Sequence, residues 1–284
     1  MKKLLTICLL LLFSASPLWA GELTGTLKQI DETGKIRIGF RKGQPPISFL
    51  NDKHQPDGYS IDLGKKIAAR IAAKLGKKIE IEFVPVTATN RFQDLIDNRI
   101  DLLCGATTKT LSRSELVDFT QLTFVTGAGF MTLKGEKLIN NFDGKKIGVV
   151  KNTTTITHLQ EMLKKTGAKA RIIPLDATED AMDALLHHKI DAFTADQVVL
   201  IGIILDTRQP QRFVLLPNLY SFEPFALALR RNDADFRLVA DRVLSNLYRS
   251  KKINEIYRKW FGVINGGTPP PLFQAMVKLN STPE

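Results

Sequence analysis

Only two cysteines occur in the 284 residues, Cys8 and Cys104. Cys8 lies in the leading apolar run, so beyond residue 20 a single thiol remains and no internal disulfide can form. Cys104 closes an apolar stretch and reads as a small buried hydrophobe. The four histidines, His54, His158, His187 and His188, show no metal-ligand spacing. No metal or cofactor is therefore expected. No stretch after residue 20 approaches the roughly 20 apolar residues that cross a bilayer. Basic blocks are missing too. Lysine and arginine number 40 against 29 acids, but they fall in scattered pairs such as Lys65-Lys66, Lys77-Lys78 and Lys145-Lys146. Scattered charge specifies no nucleic-acid partner.

What is present begins with an export leader. Met1-Lys2-Lys3 precedes an apolar run from Leu4 to Phe13, and small residues lead to Ala20. A basic start, a short apolar core and a cleavage-like end predict a signal peptide over 1–20, cut near Ala20, with a soluble chain from Gly21. The leader holds two lysines and no acid, which leaves a formal +9 of the chain's +11.

Ile36-Arg-Ile-Gly-Phe40 alternates as a strand. Leu63, Ile67, Ile71 and Leu75 then repeat every four residues up to Gly76, the pattern of a helix buried on one face. Ile79–Val84 alternates again, Asn90–Asn98 reads as a short helix with Phe92, Leu95 and Ile96 inward, and Ile100–Leu103 is a buried strand. This β-α-β-α-β order predicts a mainly parallel sheet covered by helices. A glycine-interrupted extended stretch, Phe124–Met131, leads into a second series: strand 147–150, helix 154–166, strand 171–175, helix 178–187, strand 192–194. Leu95-Ile-Asp-Asn-Arg-Ile-Asp101 and Leu185-Leu-His-His-Lys-Ile-Asp191 occupy the same place in both series. Two lobes of similar build follow. A second extended crossing, Ser221–Leu229, sends helices 234–250 and 253–260 back to the first lobe, and 272–279 can form one amphipathic helix after a proline-rich turn.

Between strand and crossing lies Cys104-Gly-Ala-Thr-Thr-Lys-Thr-Leu-Ser-Arg113. Backbone groups, two threonine hydroxyls and a guanidinium at a strand end suit a carboxylate. On residue types alone, a polar loop with a solvated arginine is the favoured reading, by about two to one.

Gly58-Tyr-Ser-Ile-Asp-Leu-Gly-Lys-Lys-Ile-Ala-Ala-Arg-Ile71 resembles the signature of the bacterial extracellular (periplasmic) solute-binding proteins of the polar amino-acid class, with Ser60 where most members carry an acid. Arg41–Phe49, Val86–Arg91, Cys104–Arg113, Lys151–Thr155, Ala192–Asp196 and the proline-led tail resemble its glutamate/aspartate-binding branch. The resemblance implies a two-lobed periplasmic-binding-protein fold (type II), each lobe a mainly parallel sheet flanked by helices, with two hinge crossings. Its divisions are lobe 1 over 21–126 and 223–262, lobe 2 over 127–222, and a tail over 263–284 packed on a lobe. It implies a monomeric periplasmic protein that captures an amino acid for the membrane permease of an ABC importer.

The same resemblance assigns the site. Arg113 matches the arginine for the ligand α-carboxylate, with Thr108 as its hydroxyl partner. Ala106 stands where a backbone carbonyl accepts from the α-ammonium, and Asp196 matches the acid for that ammonium. Thr153 and Thr154 match second-lobe contacts at a helix N-terminus, where amides favour an anion. Arg41 and Arg91 match positions that reach a distal carboxylate. The sequence departs from that branch at Thr178, where it has histidine, and at Ala88 and Ala106, where it has serines. From the residues themselves, Asp196, Thr153 and Thr154 equally read as helix caps.

The implied mechanism is docking on the Thr108/Arg113 lobe, then rotation of the second lobe about crossings near Thr126–Gly129 and Ser221–Phe225. Charge-assisted hydrogen bonds of about 1.5–3 kcal/mol each point to micromolar affinity. Two other classes share such a chain. One is an exported dehydratase-like enzyme, for which Glu223 and Glu179 are the candidate acids, neither with an evident proton-transfer partner. The other is a ligand sensor domain, which calls for a transmembrane segment.

Overall fold

The computed structural model describes residues 22–136, 142–207 and 209–284. The expected leader and its cleavage point near Ala20 lie outside the described residues.

The first part of the chain runs α1 (Gly25–Thr33), β1 (Lys35–Phe40), β2 (Gly43–Gln44), β3 (Ser48–Leu50), β4 (Pro56–Asp57), α2 (Tyr59–Leu75), β5 (Glu80–Pro85), α3 (Arg91–Ile96), β6 (Leu102–Cys104), α4 (Leu111–Ser114) and β7 (Val117–Thr126). The middle supplies β8 (Ala128–Leu133), β9 (Lys146–Val150), α5 (Thr154–Thr166), β10 (Arg171–Leu175), α6 (Thr178–Leu186), β11 (Ala192–Asp196), α7 (Gln197–Asp206) and β12 (Phe213–Leu215). The chain then returns as β13 (Glu223–Arg230), α8 (Ala234–Arg249), α9 (Ile253–Phe261) and α10 (Pro271–Leu279). Among the described residues no helix is long and apolar enough to cross a membrane.

Two five-stranded sheets form two lobes. The first has the order β5-β1-β6-β13-β7 and the second β10-β9-β11-β8-β12. In each, three strands run parallel and two more are added antiparallel. The strands β2, β3 and β4 make a small third sheet. β7 belongs to the first sheet and β8 to the second, so the chain crosses at Gly127, and it crosses back between β12 and β13.

The repeated Ile-Asp segment explains why the lobes resemble each other. Asp101 Oδ2 accepts from the Arg37 amide at 2.7 Å, and Asp191 Oδ2 accepts from the Lys146 amide at 2.6 Å. In each lobe the carboxylate thus holds the neighbouring parallel strand. Asn98 and His188, three residues earlier, both adopt positive φ, 57° and 53°. The isoleucines between pack over a glycine of that strand. A Cβ on Gly39 would sit 2.5 Å from Ile100 Cδ1, and one on Gly148 2.6 Å from Ile190 Cδ1. A shared residue pattern therefore builds the same turn twice.

The periodic helices bury the faces that their spacing predicts: Leu63, Ile67 and Ile71 of α2 are inaccessible to solvent. Beneath β7 lies an aromatic cluster of Tyr59, Phe124, Tyr257, Phe261 and Phe273. The Tyr59 hydroxyl also donates to the Thr123 carbonyl at 2.8 Å, fixing β7 to the start of α2. One local expectation fails and one element goes unforeseen. Ile96, expected inward, is 45 % exposed. The helix ends there, and Asp94 is buried in its place, accepting from Arg99 Nε at 2.6 Å. The unforeseen element is α1, which the sequence pattern does not show. Its first turn is held from far away, by Asp233, which accepts from the Thr26 amide at 2.9 Å and from the Thr26 hydroxyl. Asp233 is also the N-cap of α8, so one carboxylate serves two helix starts.

Candidate ligand-binding cleft

The cleft is assembled where the loop after β6 meets the start of β13. The Lys109 amide donates to the Pro224 carbonyl at 2.8 Å, and the Ala226 amide to the Thr107 carbonyl at 3.1 Å. This short antiparallel pairing turns Thr108 inward, where it is buried. Thr110 caps α4 by accepting from the Arg113 amide at 3.1 Å, which aims the Arg113 side chain back along the loop. Arg113 Nη1 then donates to the Thr108 carbonyl at 2.8 Å.

Three guanidiniums share this region. Arg41, at the end of β1, is buried, and among the described residues its guanidinium has no hydrogen-bond or ion-pair partner. Burial first, offset in part by the Glu179 and Asp196 carboxylates, lowers its pKa to about 10. Arg91, first residue of α3, is only 3 % exposed. It donates to the Ala88 carbonyl and, through Nη2 at 3.0 Å, to the Asn152 carbonyl of the second lobe. Its Nε is buried without a partner, and no carboxylate pairs with it among the described residues. Burial, then Arg113, then Arg41, push its pKa well below the usual range. Burial likewise lowers that of Arg113, against the pull of Glu223 and Asp196. A guanidinium keeps its proton even when buried. Burial is the first cause for all three, and of the three only Arg91 has no carboxylate pulling against it.

The acids face these cations. Asp196 ends β11 at the N-cap position of α7, yet its side chain makes no capping bond, and Oδ1 is buried without a partner. The capping alternative is thus not realised. Burial first, then the Glu223 carboxylate, push Asp196 up to about 8, against the pull of Arg113 and Arg41. Thr153 and Thr154 do not cap α5 either. Thr153 Oγ1 donates to the Val150 carbonyl at 2.7 Å, and Thr154 Oγ1 donates to Glu223 Oε2 at 2.8 Å. Thr178 is buried at the first turn of α6, and the Ala106 amide donates to Gln44 Oε1 at 3.1 Å.

Of the nine expected residues, Arg41 and Thr178 line one cavity between the lobes. Thr108 and Thr154 meet on Glu223 from opposite lobes. Asp196 and Arg91 interact through charge with Arg113 and Arg41. Ala106 is tied in only by its amide to Gln44, and Thr153 turns back on its own loop. Beside Arg41 a cavity of about 220 Å³ opens between the lobes, lined also by Lys42, Thr87, Thr178 and Glu179. Sequence reasoning weighed Glu223 only as an acid for an enzyme and saw no proton partner for it. In the structure it is fully buried in the cleft, with His158 Nε2 3.6 Å from Oε1. Its signal was a lone acid in the apolar run Ser221–Leu229. Asn152 and Gln44 carried no comparable signal.

The comparisons agree with this architecture. The profile of the bacterial extracellular solute-binding proteins, family 3, matches residues 36–263. The chain belongs to that family. It is 30% identical over 264 residues to an L-glutamate/L-aspartate-binding protein of Pseudomonas aeruginosa, covering 91% of this chain and 87% of that one. With the ABC transporter glutamine-binding protein GlnH of Bacillus subtilis it shares 26% over 276 residues, 92% and 97% of the two chains. The P235GK mutant of ArgBP from T. maritima superposes with a TM-score of 0.74 at 24% identity, over 84% of this chain and all of that one. The two-lobed fold of this family member is thus the periplasmic-binding-protein fold.

Proposed function

We propose that this family member is the amino-acid-binding component of an ABC importer and that its ligand is an acidic amino acid, L-glutamate or L-aspartate. The observation that carries this reading is Arg91, a buried guanidinium with no carboxylate partner, set beside two more arginines in one cleft. A buried charge without a counter-ion costs several kcal/mol, and a ligand anion removes that cost on binding. The α-carboxylate goes to Arg113, the α-ammonium to Asp196 and the Ala106 carbonyl, and the distal carboxylate to Arg91 and Arg41. Thr178 and the first-turn amides of α5, next to Thr153 and Thr154, complete the second-lobe side. The kinship with the Pseudomonas protein supports the choice of ligand.

In this reading the protein works in the periplasm after loss of the leader near Ala20. Lobe 1 spans 21–126 and 223–262, lobe 2 spans 127–222, and the tail over 263–284 lies on lobe 1. The monomer hands its ligand to a membrane permease and catalyses no reaction. Glu223 supports that last point: its oxygens already accept three hydroxyls, from Thr108, Thr154 and Ser221. A thermal-shift screen of the common L-amino acids and small dicarboxylates tests the reading. L-Glutamate or L-aspartate should give the largest rise in melting temperature; a preference for a neutral or basic amino acid would remove Arg41 and Arg91 from the site.

Asp196 gives a pH prediction. Its ligand-free pKa of about 8 lies above the usual 3.8. Between these values the folded chain holds a proton that the unfolded chain has released. This group's contribution therefore lowers the stability of the ligand-free protein as pH rises through that window. An ammonium beside Asp196 favours the charged form, so binding at pH 6–7 should release up to about one proton. Calorimetry in buffers of different ionisation enthalpy reads this directly. A binding enthalpy independent of buffer at pH 7 would contradict the pairing.

A further inference from the structure

The functional reading gives no ligand-binding task to the buried acid Glu223 of the cleft. Glu223 is 0 % exposed and begins β13, at the return crossing between the lobes. Its Oε2 accepts from Thr108 Oγ1 of the first lobe at 2.5 Å and from Thr154 Oγ1 of the second at 2.8 Å. Oε1 accepts from Ser221 Oγ at 2.8 Å, and Ser221 Oγ in turn accepts from the Ala128 amide of β8 at 2.9 Å. A single carboxylate therefore holds hydroxyls from both lobes and is fixed in place from behind.

The consequence lies in proton counting. A threonine hydroxyl has one hydrogen and two lone pairs, and a carboxylate only accepts. Thr108 and Thr154 each commit that hydrogen to Glu223. The approach of their two oxygens to 3.3 Å is then proximity, with no proton left to bridge them. Toward the cleft both hydroxyls have only lone pairs to offer. They can receive a hydrogen bond from a ligand N–H but cannot donate one to a ligand carboxylate. This reverses the part that family resemblance gives Thr108, and it leaves Arg113, held by the Thr108 carbonyl, to meet the carboxylate with backbone amides.

We infer that Glu223 is a positioning residue that sets the polarity of the site: by taking the Thr108 and Thr154 protons it makes both hydroxyls acceptors for the ammonium of an amino-acid ligand. Specificity for an amino acid over the corresponding acid without its amino group then depends on a residue that need not touch the ligand. The inference rests on the amino-acid reading above.

The test uses Glu223→Gln, which keeps the shape but can present an amide donor to the threonine oxygens and so release their protons toward the cleft. Dissociation constants for L-glutamate and for glutarate, which lacks the amino group, are measured by calorimetry on the parent and the variant. L-Glutamate should weaken at least tenfold while glutarate weakens little or improves, so the preference between them falls at least tenfold. Equal losses for both ligands, or no loss for either, would overturn the assignment. Thr154→Val provides an independent arm. Added to Glu223→Gln it should cost L-glutamate binding less than it costs in the parent, because the hydroxyl acts through Glu223; full additivity would count against the inference, and this arm decides if glutarate binds neither protein. Should Glu223→Gln fail to fold, Ser221→Ala leaves the charge and loosens it, and the same fall in preference is expected to a smaller degree, an unchanged preference being the contrary result. A parent that ignores L-glutamate would fail the functional reading instead. The polarity assignment is then read with whichever L-amino acid stabilises the parent and its analogue without the amino group.

Discussion

Arg113→Ala will weaken L-glutamate binding by roughly a hundredfold or more in isothermal calorimetry, with the fold unchanged by circular dichroism. The size follows from what the ligand loses. Its α-carboxylate would be buried by lobe closure without the guanidinium that offsets it, and removing one partner of a buried charged pair costs about 3–5 kcal/mol. Each 1.4 kcal/mol is about tenfold in affinity. The fold should tolerate the change because Arg113 makes only one side-chain hydrogen bond to the protein among the described residues, to the Thr108 carbonyl. Arg113→Lys should fall between, since a lysine keeps the charge but loses the planar fork. Parent-like affinity in Arg113→Ala would place the α-carboxylate elsewhere.

The second large effect comes from a residue outside the proposed ligand contacts. Gly202 lies within α7 of the second lobe and faces the Pro45-Pro46 turn of the first. A Cβ there would fall 2.7 Å from Pro46 Cδ and closer still to the Pro45 carbonyl oxygen. Backbone atoms cannot step aside as a flexible side chain can. Gly202→Ala should therefore oppose closure at a cost of about 1–3 kcal/mol, the range for overpacking a fitted contact. That is roughly a ten- to hundredfold loss of ligand affinity. In the hinge mechanism, where the ligand-free lobes stand apart, the ligand-free variant should be no less stable, because alanine in a helix interior is favoured over glycine by about 1 kcal/mol. Small-angle scattering should show a ligand-saturated variant that stays wider than the parent. Equal affinity and equal radius of gyration would mean that the lobes need not approach this closely at α7.

These two variants separate the parts of the site that composition could suggest from the part it could not. A guanidinium five residues after a threonine, at the end of a buried strand, is legible in the chain as one of two readings, a carboxylate grip or a solvated loop. The approach of Gly202 to Pro45 is not, because it joins residues about 160 positions apart across the interface between the lobes. Asp196 and Thr154 fall between these cases. Their residue types allow either a helix cap or a ligand contact, and local spacing cannot choose. Packing removes the cap: the Asp196 side chain makes no capping bond to α7, and the Thr154 hydroxyl donates to Glu223 instead.

The same division runs through the fold. Period-two and period-four patterns located the strands and the long helices because those elements bury one face, and burial imposes its period on the sequence. The Ile-Asp repeat marked the likeness of the lobes because its turn is built by neighbouring residues. The helix α1 escaped because the carboxylate that starts it, Asp233, lies more than 200 residues away. Ile96 was misplaced because a helix end rotates the last apolar residue off the buried face.

By itself, then, the sequence determined two α/β lobes joined twice, because burial periodicity is written position by position. The three arginines of the cleft came from its resemblance to the family. Only the tertiary structure decided which of those charged groups stay unpaired and which way the threonine protons point. Both depend on how closely two separately folded surfaces meet, and no stretch of chain contains that distance.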